Sequence, residues 1–470
     1  MNRRLLRTVL ASGLLAATPM CTREPIPLSQ PSSTTAAPAT AGRSAAPEPE
    51  SAKTAGAPVL NPKPAPTIPL FRRFPALASK LPYIALGSLP TPIERADALG
   101  AALGVPRLYI KRDDLSGPEY GGNKTRKLEF FLADAIAQHK KTVVTSGAAG
   151  SNHALATAIY ARKLGLRAIL LLLPQPNSDL VRRNLLADQL AGAEIRLAPA
   201  QKRIKALEDD LVRKSAPGDE PYIIDAGGSS PLGNIGYVNA AFELADQIAA
   251  GQIPEPDRIY VAMGTMGCAV GLRLGIEAAG LHTKLIPVRA STQEVATDPK
   301  MIAMFNETNA LLRSLDPSFP KLTLKPGETW IENGYLGAGY TIPTPKGKAA
   351  ITLFKEHTGI TLEPTYTGKT LAALIDAAPK LSGEVVVFWN TFNSRKLDLR
   401  GARVRDLPAT FQDYFVAVQT APRSRGVSTS QPSVSSMASR IASGSEIGRP
   451  WTASSPSTSV NRESSLSPVK

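Results

Sequence analysis

Between about residues 65 and 417 the chain alternates short apolar runs with longer runs whose apolar positions recur every three or four residues. The short runs are RLYIK (107–111), TVVTSG (142–147), RAILLLL (167–173), EIRLA (194–198), YIIDAG (222–227), RIYVAMG (258–264), KLIPVRAS (284–291) and EVVVFWN (384–390). Rich in Val, Ile, Leu or Tyr, they predict strands. The longer runs RKLEFFLADAIAQH (126–139), NHALATAIYARKLG (152–165) and NIGYVNAAFELADQIAAG (234–251) predict helices between them. The strands are apolar on successive residues, so both faces are expected to be covered, as in largely parallel sheets flanked by helices. The expected class is therefore α/β. Ligands in such sheets sit beyond the strand carboxyl ends, which directs attention to the strand-to-helix turns.

The ends of the chain lack this pattern. Residues 22–64 are mostly Pro, Ala, Ser and Thr, and residues 418–470 are Ser- and Pro-rich. Neither stretch can bury enough apolar surface to offset the entropy of ordering, so both are expected to be disordered around a body at 65–417. A body of roughly 350 residues is large enough for two lobes around one cleft. The net charge of +15 suggests nucleic acid at first. Seven basic against three acidic residues in 1–64, and six against two in 418–470, leave about +7 for the body. No basic stripe interleaved with aromatics is seen there, so nucleic acid is not an expected partner. A mild positive excess suits a small anionic ligand.

MNRRLLRTVLASGLLAATPM (1–20) joins Arg3, Arg4 and Arg7 to an apolar run from about Thr8 to Ala17. That is the layout of an export signal ending near residue 21, too short for a membrane-spanning helix, and it implies a periplasmic destination. The Arg3–Arg4 pair also fits the twin-arginine route, and Cys21 is a candidate lipid anchor, although Met20 is not the small residue such processing prefers. With Cys21 and Cys268 as the only cysteines, no disulfide framework is available.

GGNKTRKLEFF (121–131) places two glycines, an asparagine and a lysine directly before a helical run. On these residues alone, Lys124, Arg126 and Lys127 fit a solvated basic patch. Three cations at a helix N-terminus nevertheless oppose the macrodipole, which favours anions there. A bound phosphate, or a lysine held neutral by burial and neighbouring cations, would remove the conflict. In RIYVAMGTMGCAVGLRLG (258–275), Gly264, Thr265, Met266, Gly267 and Cys268 lead from a strand into a helix. Backbone N–H groups hold phosphates at such turns, although a lone G-x-x-G is as often a tight turn. In AGSNHA (149–154), Ser151, Asn152 and His153 open a helix, and Ser and Asn are also preferred N-cap residues.

IKRDDLSGPEYGGNKTRKLE (110–129) followed by SGAAGSNHALATAIYARKLGL (146–166) resembles the pyridoxal-phosphate enzymes of fold type II, in the branch containing D-cysteine desulfhydrase and 1-aminocyclopropane-1-carboxylate deaminase. The resemblance runs from about Pro75 to about Leu399. It implies two open-sheet α/β lobes with pyridoxal 5'-phosphate in the cleft, a smaller lobe at about 127–235 inserted in the larger, and a homodimer. It further implies that Lys124 bonds to the cofactor aldehyde and that the backbone of Gly264, Thr265, Met266, Gly267 and Cys268 holds the phosphate. Asn152 would meet the ring hydroxyl, and Ser151 and His153 the substrate carboxylate. In GITLEPTYTGKTLAAL (359–374), Tyr366 would lie near the substrate and Thr367 at the ring nitrogen. Tyr340, in NGYLGAGYTIPTPKG (333–347), corresponds to an active-site phenol, expected to be acidified by a cationic cofactor.

Relatives that open a cyclopropane ring carry an acidic residue where this chain has Thr367. A hydroxyl cannot keep the ring nitrogen protonated, which favours simple β-elimination. Glu363 reads as structural and Cys268 as a small apolar filler. FWNTFNSRKLDL (388–399) departs from the Thr-Gly-Gly that relatives carry beside the cofactor, so Trp389, Phe392 and Asn393 leave the substrate open. The expected activity is loss of a β-substituent such as sulfide from a small amino acid, with hydrolysis to a 2-oxo acid and ammonia. The rival readings are a β-replacement synthase using the same Lys124, a cyclopropane deaminase, and a non-catalytic exported binding module.

Overall fold

Two sheets organise residues 68–416, which the computed structural model describes. The expected export signal, Cys21, the whole Pro/Ala-rich stretch and the Ser-rich tail lie outside the described residues. The strands are β1 (Ile93–Arg95), β2 (Leu108–Lys111), β3 (Thr142–Ala148), β4 (Arg167–Leu173), β5 (Glu194–Leu197), β6 (Tyr222–Ile224), β7 (Arg258–Met263), β8 (Lys284–Arg289) and β9 (Val386–Trp389). The four-stranded sheet runs β5-β4-β3-β6, all parallel. The five-stranded sheet runs β1-β2-β9-β7-β8, parallel except for β1. All eight expected strands form. The ninth, β1, has the sequence IER and is only partly buried, because it exists by pairing Ile93 with Lys111 rather than by its own apolar content.

Each sheet has its own core. Val143, Leu170, Leu172 and Ile195 of the four-stranded sheet pack with Leu128, Leu155 and Tyr160, and Leu407, Phe411 and Tyr414 near the end of the described residues join them. Tyr414 also anchors this segment through its hydroxyl, which accepts from Gln175 N and donates to Gln175 O, each at 3.0 Å.

The two helices Pro231–Ala249 and Gly267–Ala278 approach unusually closely. A Cβ on Gly271 would lie 2.3 Å from the Asn234 carbonyl oxygen and 2.5 Å from Tyr237 Cβ. Because the obstacle is backbone, it cannot swing aside. Gly271→Ala is therefore expected to cost about 1–3 kcal/mol, read as a lower urea midpoint.

A buried ionic network fixes the helix Lys124–Ala137 to this core. The Arg126 guanidinium donates to Asp113 Oδ1 at 2.7 Å and to Glu243 at 2.9 Å, while Lys111 Nζ donates to Glu243 Oε1 at 2.6 Å. Tyr237 and Trp389 complete the shell of Asp113, donating to its Oδ2 at 2.8 and 2.7 Å. Two cations and two carboxylates balance, which is the condition under which buried charge is tolerated.

Candidate active site

The turn before Lys124 is tied down on both sides. Gly122 has φ +88°, and a Cβ there would stand 2.8 Å from the Thr391 carbonyl oxygen, so glycine is required both for conformation and for space. Asn123 N donates to Thr391 O at 3.0 Å, Gly121 N to Asn393 Oδ1 at 2.7 Å and Gly122 N to Asp113 O at 2.7 Å. The unusual FWNTFN stretch thus forms the platform under the lysine turn. Trp389 is buried against Asp113, away from the cavity, and of the three residues that departed from the family pattern only Phe392 lines it.

Lys124 Nζ donates to the Gly227 carbonyl at 3.2 Å. Burial, with Lys127 beside it, brings its amine down to about 7. Lys127 stands one turn further along the same helix. Its Nζ donates to the same carbonyl at 3.1 Å and to Ser229 Oγ at 3.1 Å, and burial lowers it too. Arg126 turns the opposite way, into the carboxylates of Asp113 and Glu243. The solvated-patch reading therefore fails. The conflict with the helix dipole is removed by desolvating two amines and pairing the third cation.

Opposite the lysines, β7 ends at Met263 and the chain turns through Gly264–Cys268 into the helix Gly267–Ala278. Met266 caps that helix in the left-handed region at φ +68°. A Cβ on Gly267 would fall 2.6 Å from Lys127 Nζ and 2.7 Å from Ser229 Oγ, so the absence of a side chain lets an amine, a hydroxyl and the start of the helix converge, with Gly267 N donating to Ser229 Oγ at 3.2 Å. Ser229 Oγ also lies 2.7 Å from Thr265 Oγ1. Cys268 is more than a filler, because its sulfur accepts from Asn123 Nδ2 at 3.1 Å and so links the two turns.

The third wall opens the helix Asn152–Lys163. Ser151 caps it, accepting from Ala154 N at 3.1 Å, and its own hydroxyl proton remains free to donate. Asn152 Oδ1 accepts from Tyr120 OH at 3.2 Å and from Asn184 Nδ2 at 3.1 Å, which leaves the amide N–H groups for the cavity. His153 is buried with neither ring nitrogen in hydrogen-bond geometry, and the Asp225 carbonyl interacts with it only weakly. Burial and the two lysines hold its imidazole well below the usual histidine range, hence neutral.

The fourth wall is Glu363, Thr365 and Tyr366, with Tyr340 and Thr341 reaching in from a loop. The hydroxyls of Tyr340 and Tyr366 are hydrogen-bonded to each other. Without a cationic ligand beside it, burial pushes the Tyr366 phenol well up from its ordinary value, while Tyr340 reaches in from its loop still partly exposed. Thr367, expected at the cavity, stands behind this wall, its hydroxyl engaged with Glu363.

One cavity therefore collects Lys124, Ser151, Asn152, His153, Gly264, Thr265, Met266, Gly267, Cys268, Tyr340 and Tyr366. Among the lining residues that the sequence reading did not assign are Lys127, Glu363 and Ser229. Lys127 was legible in the three-residue spacing from Lys124, which puts both on one helix face. Glu363 stood three residues from Tyr366 but read as structural. Ser229 carried no distinguishing signal in SSPLGNIGYVNAA.

These residues suit a ligand with an electrophilic carbonyl, a phosphate and an acceptor oxygen on one ring. A poised amine meets the carbonyl, the helix start with Lys127 and Ser229 meets the phosphate, and the Asn152 amide meets the oxygen. Residues 84–391 match the family described as pyridoxal-phosphate dependent enzymes. The chain is 35% identical over 303 residues to a D-cysteine desulfhydrase of Serratia proteamaculans, covering 63% of this chain and 88% of that one. It is 36% identical over 304 residues to a D-cysteine desulfhydrase of Klebsiella pneumoniae, covering 63% and 89%. Among solved structures, a crystal structure of an ACC deaminase homologue superposes with a TM-score of 0.59 at 32% identity, covering 67% of this chain and 93% of that one. A fold type II architecture of two largely parallel sheets, a lysine at the GGNK turn and a match through most of the described residues agree, and the chain belongs to the pyridoxal-phosphate dependent enzyme family.

Proposed function

We propose that this protein acts on a small amino acid by β-elimination in the manner of a D-cysteine desulfhydrase, releasing sulfide, ammonia and a 2-oxo acid. The observation that carries the reading is the Lys124 amine, brought down to about 7 and set in one cavity with the Gly264–Cys268 turn. Pyridoxal phosphate, when bound, supplies an aldehyde for the amino group and a ring that draws electrons from the α-carbon. With its amine held well below the usual lysine range by burial and Lys127, Lys124 Nζ would be available as a base for the α-proton. The cap that Ser151 forms at the start of its helix supports a role for that N-terminus in holding the substrate carboxylate. The Tyr340 and Tyr366 hydroxyls, hydrogen-bonded to each other on the cavity wall, are the candidate donors to the leaving group. Phe392 and Met266, both buried on the cavity wall, help to exclude water.

The test is the full chain loaded with pyridoxal phosphate and offered D-cysteine, L-cysteine and 1-aminocyclopropane-1-carboxylate in turn. Sulfide and pyruvate formed without an added thiol support β-elimination. Turnover that needs a second thiol would indicate β-replacement, 2-oxobutyrate would indicate ring opening, and inertness towards all three overturns the reading. Lys127→Ala is expected to weaken cofactor binding by about 10- to 100-fold, through loss of a charge-assisted contact to phosphate. Its kcat at saturating cofactor should change only a few-fold, and titration of the cofactor-free protein checks this.

Two further features belong to the proposal. The pattern of residues 1–20 supports export, with Cys21 as an anchor site, to be checked by cell fractionation and mass spectrometry of the mature N-terminus. A homodimer is expected from the family resemblance, and light scattering checks it.

A further inference from the structure

Residues 333–344 carry Tyr340 and Thr341 to the cavity as a strap. Both ends of the strap are fixed. Glu332 pairs with the edge of β8, donating to Pro287 O at 2.8 Å and accepting from Arg289 N at 2.9 Å, and Thr344 caps the helix Pro345–Thr358 by accepting from Gly347 N at 3.0 Å. Between these ends, among the described residues, the main chain makes one bond within itself, from Ile342 N to Gly339 O at 3.3 Å. The strap turns through Gly334 at φ +94°, Gly337 at φ +72° and Thr341 at φ +65°. Thr341 is β-branched, so the left-handed region costs it energy that other contacts must offset. Apolar burial does little of this, since Tyr340 and Ile342 are left partly exposed.

Three side chains of one helix hold the strap down. Tyr366 precedes the helix Thr367–Ala377, and Lys369 and Asp376 follow at intervals of three and seven residues, the spacing of a single helix face. Asp376 Oδ2 accepts from Tyr335 OH at 2.9 Å, Lys369 Nζ donates to Leu336 O at 2.7 Å and to Gly339 O at 3.4 Å, and the Tyr366 hydroxyl meets that of Tyr340. Strap and helix therefore run in opposite directions, fastened at both ends and in the middle. The outer fastening is at the surface, where Asp376 is shared with Lys346 at 2.6 Å. The middle one is different in kind. Lys369 is fully buried, forms no ion pair among the described residues, and has strap carbonyls as both of its acceptors. A buried ammonium is costly unless it is hydrogen-bonded, so the cation needs the strap as much as the strap needs the cation.

We propose that Lys369 is the latch of a closing strap: a positioning residue that touches no substrate but holds Tyr340 and Thr341 in the cavity wall and brings the Tyr340 hydroxyl to Tyr366. The role given to Tyr340 rests on the β-elimination reading, whereas the latch itself does not. When the strap lifts, the Lys369 ammonium exchanges two carbonyls for water, Thr341 is free to leave the left-handed region, and Tyr340 moves out of the wall to admit a small amino acid. When it lies down, water is excluded and the two phenols come together as candidate donors to the leaving group.

Limited chymotrypsin digestion of the full chain loaded with pyridoxal phosphate reads how often Tyr335, Leu336 and Tyr340 are lifted clear, with the cuts located by mass spectrometry. Lys369→Met keeps the apolar stem and removes the ammonium. It should raise cleavage at these three sites about tenfold or more, the worth of a hydrogen bond from a charged donor, while cofactor affinity stays within about twofold. Cleavage unchanged at these sites, or raised equally throughout the chain as a merely structural role would require, overturns the proposal. The second measurement is turnover of D-cysteine. Lys369→Met should lower kcat by about tenfold with KM changed by less than about threefold, and in a Tyr340→Phe background it should cost less than about twofold more, because the latch then has no hydroxyl left to place. Losses that multiply would show that Lys369 does not act through Tyr340 and overturn the positioning role. If Lys369→Met does not fold, Tyr335→Phe removes the outer fastening instead and must give the same localised cleavage. A wild-type chain inert towards D-cysteine counts against the β-elimination reading, and the cleavage pattern alone then decides the latch.

Discussion

Lys124→Ala is expected to lower turnover by about 10³- to 10⁴-fold or more, because one amine both captures the cofactor and moves the α-proton. Borohydride treatment of the loaded wild-type protein should fix the cofactor on Lys124, found as a modified peptide by mass spectrometry. The variant should give no such peptide, and a variant that still does would overturn the role given to this lysine. The same residue sets a pH dependence. Burial and Lys127 depress a base, so the reactive neutral form is populated as pH rises through about 7 rather than through the usual lysine range. Cofactor capture by cofactor-free protein should therefore accelerate about tenfold from about pH 6 to pH 8 and then level off. An ordinary lysine would give about a hundredfold rise over that interval and no plateau until near pH 10. Lys127→Met should move the midpoint upward, since it removes the neighbouring positive charge.

The parts of this design that could be read in the sequence are those written in local pattern. RAILLLL and RIYVAM are apolar on successive residues because helices cover both faces of their sheets, and both became buried strands. The turns at 121–124 and 264–268 were legible because glycines mark places where backbone must bend or approach closely. What could not be read depends on residues far apart in the chain. Arg126 sits between Lys124 and Lys127 and looks like a third member of a basic patch, yet its partners lie 13 and 117 positions away. Trp389 looked like a change in cofactor chemistry, whereas its indole N–H serves Asp113, 276 positions earlier. Glu363 was near enough in sequence to Thr367 to be noticed. Its carboxylate accepts from the main-chain N–H groups of Thr365, Tyr366 and Thr367, a fold of the backbone that spacing alone does not record.

Arg126→Met should cost about 3–5 kcal/mol of stability at neutral pH, the largest stability effect expected of a single substitution in this fold. Methionine fills much of the same volume and adds no clash, so the loss is electrostatic. Asp113 and Glu243 would remain buried with Lys111 as their one cation, and Thr91 Oγ1 would lose the Arg126 donor at 3.0 Å. Acid separates this cause from lost packing. Burial alone would raise the Glu243 carboxyl, but Arg126 and Lys111 hold it down at about 2. A carboxyl depressed in the folded state contributes stability that is present above its unfolded value, about 4.3, and is lost as pH falls towards 2. The variant, with one cation fewer, has less of this contribution to lose. Urea midpoints of the two proteins should therefore differ widely at about pH 7 and converge between about pH 4 and pH 2. A gap that stays constant across that window would mean that the guanidinium acts through its volume rather than its charge. Because Arg126 and Lys124 share the first turn of one helix, the same substitution should also loosen the seat of the reactive amine, weakening cofactor binding even where the protein remains folded.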